Sequence, residues 1–369
     1  MKVENIFSVE IAGIKIKIID NNKSSRAIIN DLEASLVRSE FESDIVIDIT
    51  KEDFRDYKAE IFSAKGNMNF NESEYFVNYL TDLSYLVKIN DKTKNINIKI
   101  KLKKKAFTRK LKSFILNNKD FSKNTILSYS LFWYIFSYVL SKKNKTFIHA
   151  GVFQSESGAT LISGTGGCGK TSTLFKILED TSMKYISEDF GIIDSEGYCY
   201  YNPKPVSIYS SDMEFGQTIL KNHYKSFKMI DKLIWSLKRS VFGFNPMIKV
   251  NPRILMTNRI SKKAKIKNVL YFIRCNQDSL KVEVAETNEL IERILDSSLR
   301  ELKTFNELLL LIRANSPISS NIPSFESFRL ELKKIYLKSF SHTINRFVFI
   351  PHKTSPDVLV SFLKDRKLI

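Results

Sequence analysis

Apolar and polar residues alternate in three stretches of the first hundred or so positions: Ile14-Lys15-Ile16-Lys17-Ile18-Ile19, Ile45-Val46-Ile47-Asp48-Ile49 and Ile96-Asn97-Ile98-Lys99-Ile100-Lys101-Leu102-Lys103. A period of two sends neighbouring side chains to opposite faces, so residues 1 to about 105 read as an N-terminal β-rich region. In the last stretch Lys99, Lys101 and Lys103 share one face and Ile98, Ile100 and Leu102 the other, as in a strand with one buried and one wet face. From about 106 to 143 the period becomes helical, and the polar cluster Ser141-Lys142-Lys143-Asn144-Lys145 reads as a joint. The most apolar segment, Thr125 to Leu140, contains Leu131-Phe132-Trp133-Tyr134-Ile135-Phe136 but also Ser128, Ser130 and Ser137. A membrane span needs about 20 apolar residues, so this segment is expected to be a buried helix.

The next part of the chain punctuates its apolar runs with turn residues. Strands are predicted at Phe147 to Phe153, Ala159 to Ser163, Tyr185 to Asp189, Gly191 to Asp194 and Tyr198 to Tyr201, with a helix over 171–179. Ser157-Gly158 and Glu196-Gly197 have hairpin-turn chemistry. A hairpin leading into the glycine-rich loop at 164–171 sets this arrangement apart from a doubly wound sheet, where helices connect parallel strands. Beyond it, Leu290, Ile291, Ile294, Leu295, Leu302 and Phe305 recur at helical spacing within 285–313 and read as core. A break at Asn315-Ser316-Pro317, a helix near Phe328 to Phe340, a strand Arg346 to Ile350 and a helix from Ser355 complete the reading; no internal repeat is found.

The glycine-rich loop carries the candidate chemistry. Gly164-Thr165-Gly166-Gly167-Cys168-Gly169-Lys170-Thr171 is a complete G-x-x-x-x-G-K-[ST] phosphate loop between an apolar run and a helix that starts with Ser172. Glycines let successive N–H groups turn onto a phosphate, and the helix presents its positive end to the same anion. The expected ligand is a nucleoside triphosphate, with Lys170 on the β- and γ-phosphates and the Thr171 hydroxyl on Mg²⁺.

Composition narrows the surroundings. The 369 residues are 43% hydrophobic and 12% aromatic, enough for two or three packed domains and against global disorder. The net charge of +18 invites a nucleic-acid reading, but the lysines are spread along the chain beside an excess of Ile and Asn, so nucleic acid is not the expected partner. Cys168, Cys199 and Cys275 are odd in number and widely spaced, which fits neither a disulfide framework nor a zinc site. With no signal-peptide pattern at Met1-Lys2-Val3-Glu4-Asn5, a cytoplasmic location is expected.

Four segments taken in order resemble a known group. Phe147-Ile148-His149-Ala150-Gly151-Val152, the phosphate loop, Tyr185-Ile186-Ser187-Glu188-Asp189-Phe190 and Asn202-Pro203-Lys204-Pro205 are similar to the catalytic core of the HPr kinase/phosphorylase-like family, with a fainter echo in Asn268-Val269-Leu270-Tyr271-Phe272-Ile273-Arg274. The resemblance covers about residues 130–210. It implies an α/β fold with a phosphoenolpyruvate-carboxykinase-like P-loop core and mixed sheet: an HPr-kinase-like nucleotide-binding domain over 106–369 that follows the N-terminal β-rich region. It also implies His149, Lys170, Thr171, Glu188 and Asp189 as functional positions. The family usually has two aspartates where this chain has Glu188 and Asp189.

Neighbours on a regular strand point to opposite faces, so both carboxylates can reach one phosphate only at a strand end or bulge, which Phe190-Gly191 permits. Asp189 is assigned to Mg²⁺ and Glu188 to accepting the proton of an attacking hydroxyl, with the reverse assignment kept open. The resemblance makes His149 a partner that orients or tunes the acidic pair. Lys204, Arg253 and Arg274 are candidates for clamping phosphate charge. Residues 206–262, with Phe215-Gly216-Gln217, the basic stretch Lys221 to Arg239 and Phe242-Gly243-Phe244-Asn245-Pro246, read either as a lid or acceptor pocket or as an amphipathic structural helix.

Two function classes follow: a Mg²⁺-requiring ATP-dependent kinase acting on a hydroxyl-bearing protein, peptide, sugar or metabolite, and a nucleotide-dependent regulatory protein with slow hydrolysis at most. The second acidic residue favours the kinase. The layout gives no positive match to true HPr kinase. The family can assemble into oligomers, and no interface is legible in this chain.

Overall fold

The computed structural model describes residues 5–20, 26–37, 41–50, 61–62, 68–70, 74–77, 83–90, 95–102, 132–180, 182–209, 229, 232, 247–315 and 323–369. The helical reading of 106–131, Phe215–Gln217, nearly all of the basic stretch 221–239 and Phe242–Pro246 lie outside the described residues. The described residues form a mixed α/β protein with eight helices: α1 (Arg26–Asp31), α2 (Trp133–Lys142), α3 (Lys170–Ile177), α4 (Pro252–Leu255), α5 (Thr287–Glu301), α6 (Lys303–Asn315), α7 (Phe325–Ser339) and α8 (Pro356–Asp365). Contacts divide the chain into two compact units, Met1–Lys142 with Leu302–Leu330, and Lys143–Glu301 with Glu331–Ile369.

The first unit holds a nine-stranded sheet of β1 (Asn5–Ile11), β2 (Ile14–Asp20), β3 (Ser35–Leu36), β4 (Ile45–Thr50), β5 (Ile61–Phe62), β6 (Met68–Phe70), β7 (Glu74–Val77), β8 (Leu83–Ile89) and β9 (Ile96–Leu102), in the order β3-β1-β2-β4-β9-β8-β7-β6-β5. Its centre, β2-β4-β9, is parallel. Register places Ile16 beside Ile45 and Ile45 beside Ile96, then Ile18 beside Ile47 and Ile47 beside Ile98. These isoleucines are buried while Asn97 is exposed, so the alternation in the sequence is the division between core and solvent. Phe132, Trp133, Phe136 and Leu140 are buried on or beside α2. No described helix is long and apolar enough to cross a membrane.

The second unit holds β10 (Lys145–Ser155), β11 (Gly158–Gly164), β12 (Lys184–Ser187), β13 (Phe190–Asp194), β14 (Tyr198–Tyr200), β15 (Val206–Tyr209), β16 (Met247–Val250), β17 (Lys263–Cys275), β18 (Lys281–Val284) and β19 (Ile344–Pro351). β10 and β11 form the antiparallel hairpin, closed by a two-residue turn between Ser155 and Gly158. The main order is β11-β10-β13-β14-β17-β19-β18. The start of β17 pairs with β14, and its continuation runs parallel to β11, which closes five of the strands into a ring.

Helices cover both faces of this sheet, as strand alternation dictates. Ile162, Leu270, Phe272, Val348 and Ile350 pack in one cluster with Leu174 and Phe175 of α3 and Leu359 and Leu363 of α8. The intervening Tyr271 and Phe347 meet edge to face, and the Arg293 guanidinium of α5 lies 5.3 Å from the Phe347 ring. The helical pattern over 285–313 is not one helix. It breaks at Leu302, whose carbonyl accepts from the N–H groups of Phe305 and Asn306 and so starts a new helix.

Candidate functional site

The glycine loop occupies the turn from β11 into α3, and its glycines have separate reasons. Gly164 has φ 145°, and a Cβ there would fall 2.6 Å from the Phe272 carbonyl oxygen. Gly169, at φ 99°, ends the loop immediately before Lys170. Gly166 differs: its backbone demands no glycine, and a Cβ would meet nothing within 4 Å. Packing within the protein therefore does not explain it, and its backbone is left open to the surroundings. Lys170 is buried and donates to the carbonyls of Gly164 (2.9 Å) and Thr165 (3.0 Å). Cys168 is buried in the loop, and burial raises its thiol pKa despite the nearby Lys170 charge. Ser172 donates back to the Gly169 carbonyl at 3.2 Å.

The acidic pair sits at a break between two strands. β12 ends at Ser187 and β13 starts at Phe190, although both pair with β10. Between them the Phe190 N–H donates to the Glu188 carbonyl at 2.8 Å, and Asp189 takes φ 68°. This is a tight three-residue γ-turn, whose positive φ is strained for any residue with a Cβ and best tolerated by Asp or Asn. The turn breaks the alternation that would separate the two side chains. Gly191 follows because a Cβ there would press within 2.9 Å of Ile148 and 3.0 Å of Val152 on β10.

The two carboxylates have different partners. Glu188 Oε1 accepts from the Thr171 hydroxyl at 2.6 Å, which joins the acidic turn to the first turn of α3. Asp189 Oδ1 lies 3.2 Å from His149 Nε2, and its Oδ2 lies 2.5 Å from Lys204 Nζ. Burial and then the Asp189 charge push the Glu188 pKa up to about 7. Burial acts on Asp189 in the same sense, but the Lys204 ammonium and the His149 contact outweigh it and hold that carboxyl well below the usual range.

Lys204 reaches Asp189 because Asn202-Pro203-Lys204-Pro205 is a braced segment. Buried Asn202 donates from Nδ2 to the Phe190 carbonyl at 2.7 Å and accepts the Lys204 N–H at 3.0 Å. The Lys204 ammonium also lies 4.1 Å from the Phe190 ring centre. Arg274 instead donates to the carbonyls of Cys168, Pro351 and His352, which ties the glycine loop to the end of β19 and the residue after it. Arg253 is exposed on α4. Of the three cations considered from sequence, the fold therefore brings Lys204 onto the acidic pair.

Helix α5, where the sequence reading marked only apolar core positions, adds polar contacts to His149. Ser298 Oγ accepts the His149 N–H at 3.0 Å, Ser297 Oγ lies 2.9 Å from His149 Nδ1, and Glu301 Oε1 is 3.8 Å from the same nitrogen. A single serine inside an amphipathic helix carries no signal that it faces a histidine about 150 positions earlier. His149 is further anchored by Ser163 Oγ, which donates to its carbonyl at 2.9 Å.

No protein-family model matches the sequence, and no curated protein matches it. Among solved structures, the chain is similar to the Hpr(Ser) kinase/phosphatase from Coxiella burnetii at 10% identity and a TM-score of 0.27, covering 60% of this chain and 97% of that one.

Proposed function

We propose that this protein is an ATP-dependent phosphotransferase that moves the γ-phosphate to a hydroxyl of a protein, peptide, sugar or small-metabolite acceptor, on a phosphoenolpyruvate-carboxykinase-like P-loop core. The observation that carries the reading is the division of labour between two adjacent carboxylates beside a complete phosphate loop: Glu188 with Thr171, and Asp189 with Lys204 and His149. A protein that only binds nucleotide has little use for a second, separately held carboxylate.

The donor set at Thr171 and Glu188 fits Mg²⁺. That ion is ordinarily held by one or two protein oxygens, with substrate phosphates and water completing an octahedron. Among the described residues no group of three or more His, Cys, Asp or Glu side chains could form an all-protein cage, and such a site does not need one. Glu188 resists ionisation because it is partly buried beside another carboxylate, so a divalent cation would favour its charged form. Bound there, Mg²⁺ would neutralise charge on the β- and γ-phosphates. The geometry supports Glu188 with Thr171 as the metal pair and Asp189 as the proton acceptor, the reverse of the order preferred from sequence.

Lys170 would exchange its contacts with the Gly164 and Thr165 carbonyls for the phosphates. Asp189, kept ionised by Lys204 and His149, would receive the proton of the acceptor hydroxyl. A carboxylate with a low pKa is a weak base, which suits a loose transition state that needs little deprotonation beforehand. Lys204 would offset the charge developing between donor and acceptor.

The test is transfer from γ-labelled ATP with Mg²⁺, using purified protein, a size-fractionated lysate of the source cell, and Lys170→Ala as control. A labelled product that depends on Lys170 supports the kinase, and its size class separates macromolecular from small acceptors. ATP binding with slow hydrolysis and no labelled acceptor favours a nucleotide switch.

A further inference from the structure

The ring of His149 has two nitrogens facing different chemistry. Nε2 lies 3.2 Å from Asp189 Oδ1, while Asp189 Oδ2 is in contact with the Lys204 ammonium. A carboxylate paired in this way accepts and does not donate, so this contact favours the hydrogen on Nε2. In a neutral imidazole Nδ1 is then a bare acceptor in a buried place, where a missing donor is costly. Two side chains face it, the Ser297 hydroxyl at 2.9 Å and Glu301 at 3.8 Å. Glu301 as a carboxylate has no proton to give and is beyond hydrogen-bond distance. The Ser297 oxygen also lies 3.5 Å from the Gly164 carbonyl, a longer contact than the 2.9 Å to Nδ1. Nδ1 is therefore the better acceptor for the Ser297 proton.

We infer that Ser297 is a positioning residue for the phosphotransfer site: its hydroxyl donates to His149 Nδ1, selects the Nε2–H tautomer, and through that hydrogen holds Asp189 toward the acceptor. The backbone fixes the same alignment, because Ser298 takes the His149 N–H and Ser163 binds its carbonyl. Without the Ser297 hydroxyl, the ring is free to place its hydrogen on Nδ1, toward Glu301, and the bare Nε2 lone pair would then face the Asp189 carboxylate. The inference rests on the proposed function for its consequence, but not for the hydrogen bond itself.

Two measurements separate these levels. In ¹⁵N-histidine NMR spectra of the nucleotide-free protein, His149 should show the neutral Nε2–H pattern; Ser297→Ala should give mixed tautomers and Ser297→Thr should restore the pattern. A wild-type ring that is Nδ1–H or doubly protonated overturns the inference without any variant, and so does an unchanged tautomer in a folded Ser297→Ala. In the transfer assay, Ser297→Ala should lower kcat by about 10–100-fold, by analogy with the partners that orient metal-binding histidines, with ATP affinity changed less than about twofold. An unchanged kcat, or loss of ATP binding in proportion to activity, overturns the positioning role. If the wild type transfers no phosphate but shows the expected tautomer, the proposed function fails and the hydrogen bond stands.

Discussion

At the scale of single residues, the site depends on how two adjacent carboxylates are kept unequal. Under the proposed function, Lys170→Ala is expected to abolish transfer and weaken ATP binding, because it removes the cation that would neutralise the phosphates. Asp189→Asn should leave ATP binding intact and cut transfer by roughly 10²–10⁴-fold, the usual value of a positioned proton acceptor. Glu188→Gln should instead raise the Mg²⁺ concentration needed for half-maximal transfer. The opposite pattern in the last two variants would restore Glu188 as the base, and steady-state kinetics with Mg²⁺ titrations decides between them. The Glu188 shift also has a consequence for stability. An acid whose pKa rises on folding, here from 4.5 to about 7, binds more protons in the folded state across that interval. Its contribution is therefore present below about pH 4.5 and is lost as pH rises through about 7. In metal-free buffer, Glu188→Gln should gain stability over wild type between those pH values, and urea unfolding at pH 4.5 and pH 8 measures the difference.

At the scale of elements, the braced segment at 202–205 and the loop glycines are the parts on which the site geometry rests. Asn202→Ala leaves the Phe190 carbonyl and the Lys204 N–H without their side-chain partner in a buried place, which should cost about 1–3 kcal/mol in chemical denaturation. Transfer should fall as well, since Lys204 loses its brace. The turn at Glu188-Asp189 shows how far local sequence carries. Adjacent acidic residues on a strand pattern posed the problem of reaching one site, and Gly191 permitted a break there. Only the structure places the break, in a γ-turn centred on Asp189. The strand expected to run to Asp189 accordingly ends at Ser187. The hairpin and the glycine loop were legible because turn chemistry and phosphate-loop spacing act over a few residues. Ser297, Ser298 and Glu301 were not, because their relation to His149 is made by packing α5 against β10.

At the scale of the whole molecule, the first compact unit takes in a segment that comes late in the chain. Residues 302–330, which include α6 with Phe305, Leu308, Leu309 and Ile312 buried, group with residues 1–142. A fragment of residues 1–142 should therefore lack part of its own core, bind a hydrophobic dye and unfold without a cooperative transition. Adding residues 302–330 through a flexible linker should restore cooperativity, and a fragment 1–142 that unfolds sharply by itself would refute this. The sequence alone determined most of the strand and helix texture of the described residues, the glycine loop and the adjacency of the two carboxylates, because periodicity, glycine and short-range spacing are properties of neighbouring residues. The tertiary structure decided which carboxylate meets Thr171 and which meets Lys204 and His149. It also assigned the late segment to the first unit. Those outcomes depend on strand register and helix packing between residues up to hundreds of positions apart, where no local pattern in the chain records the contact.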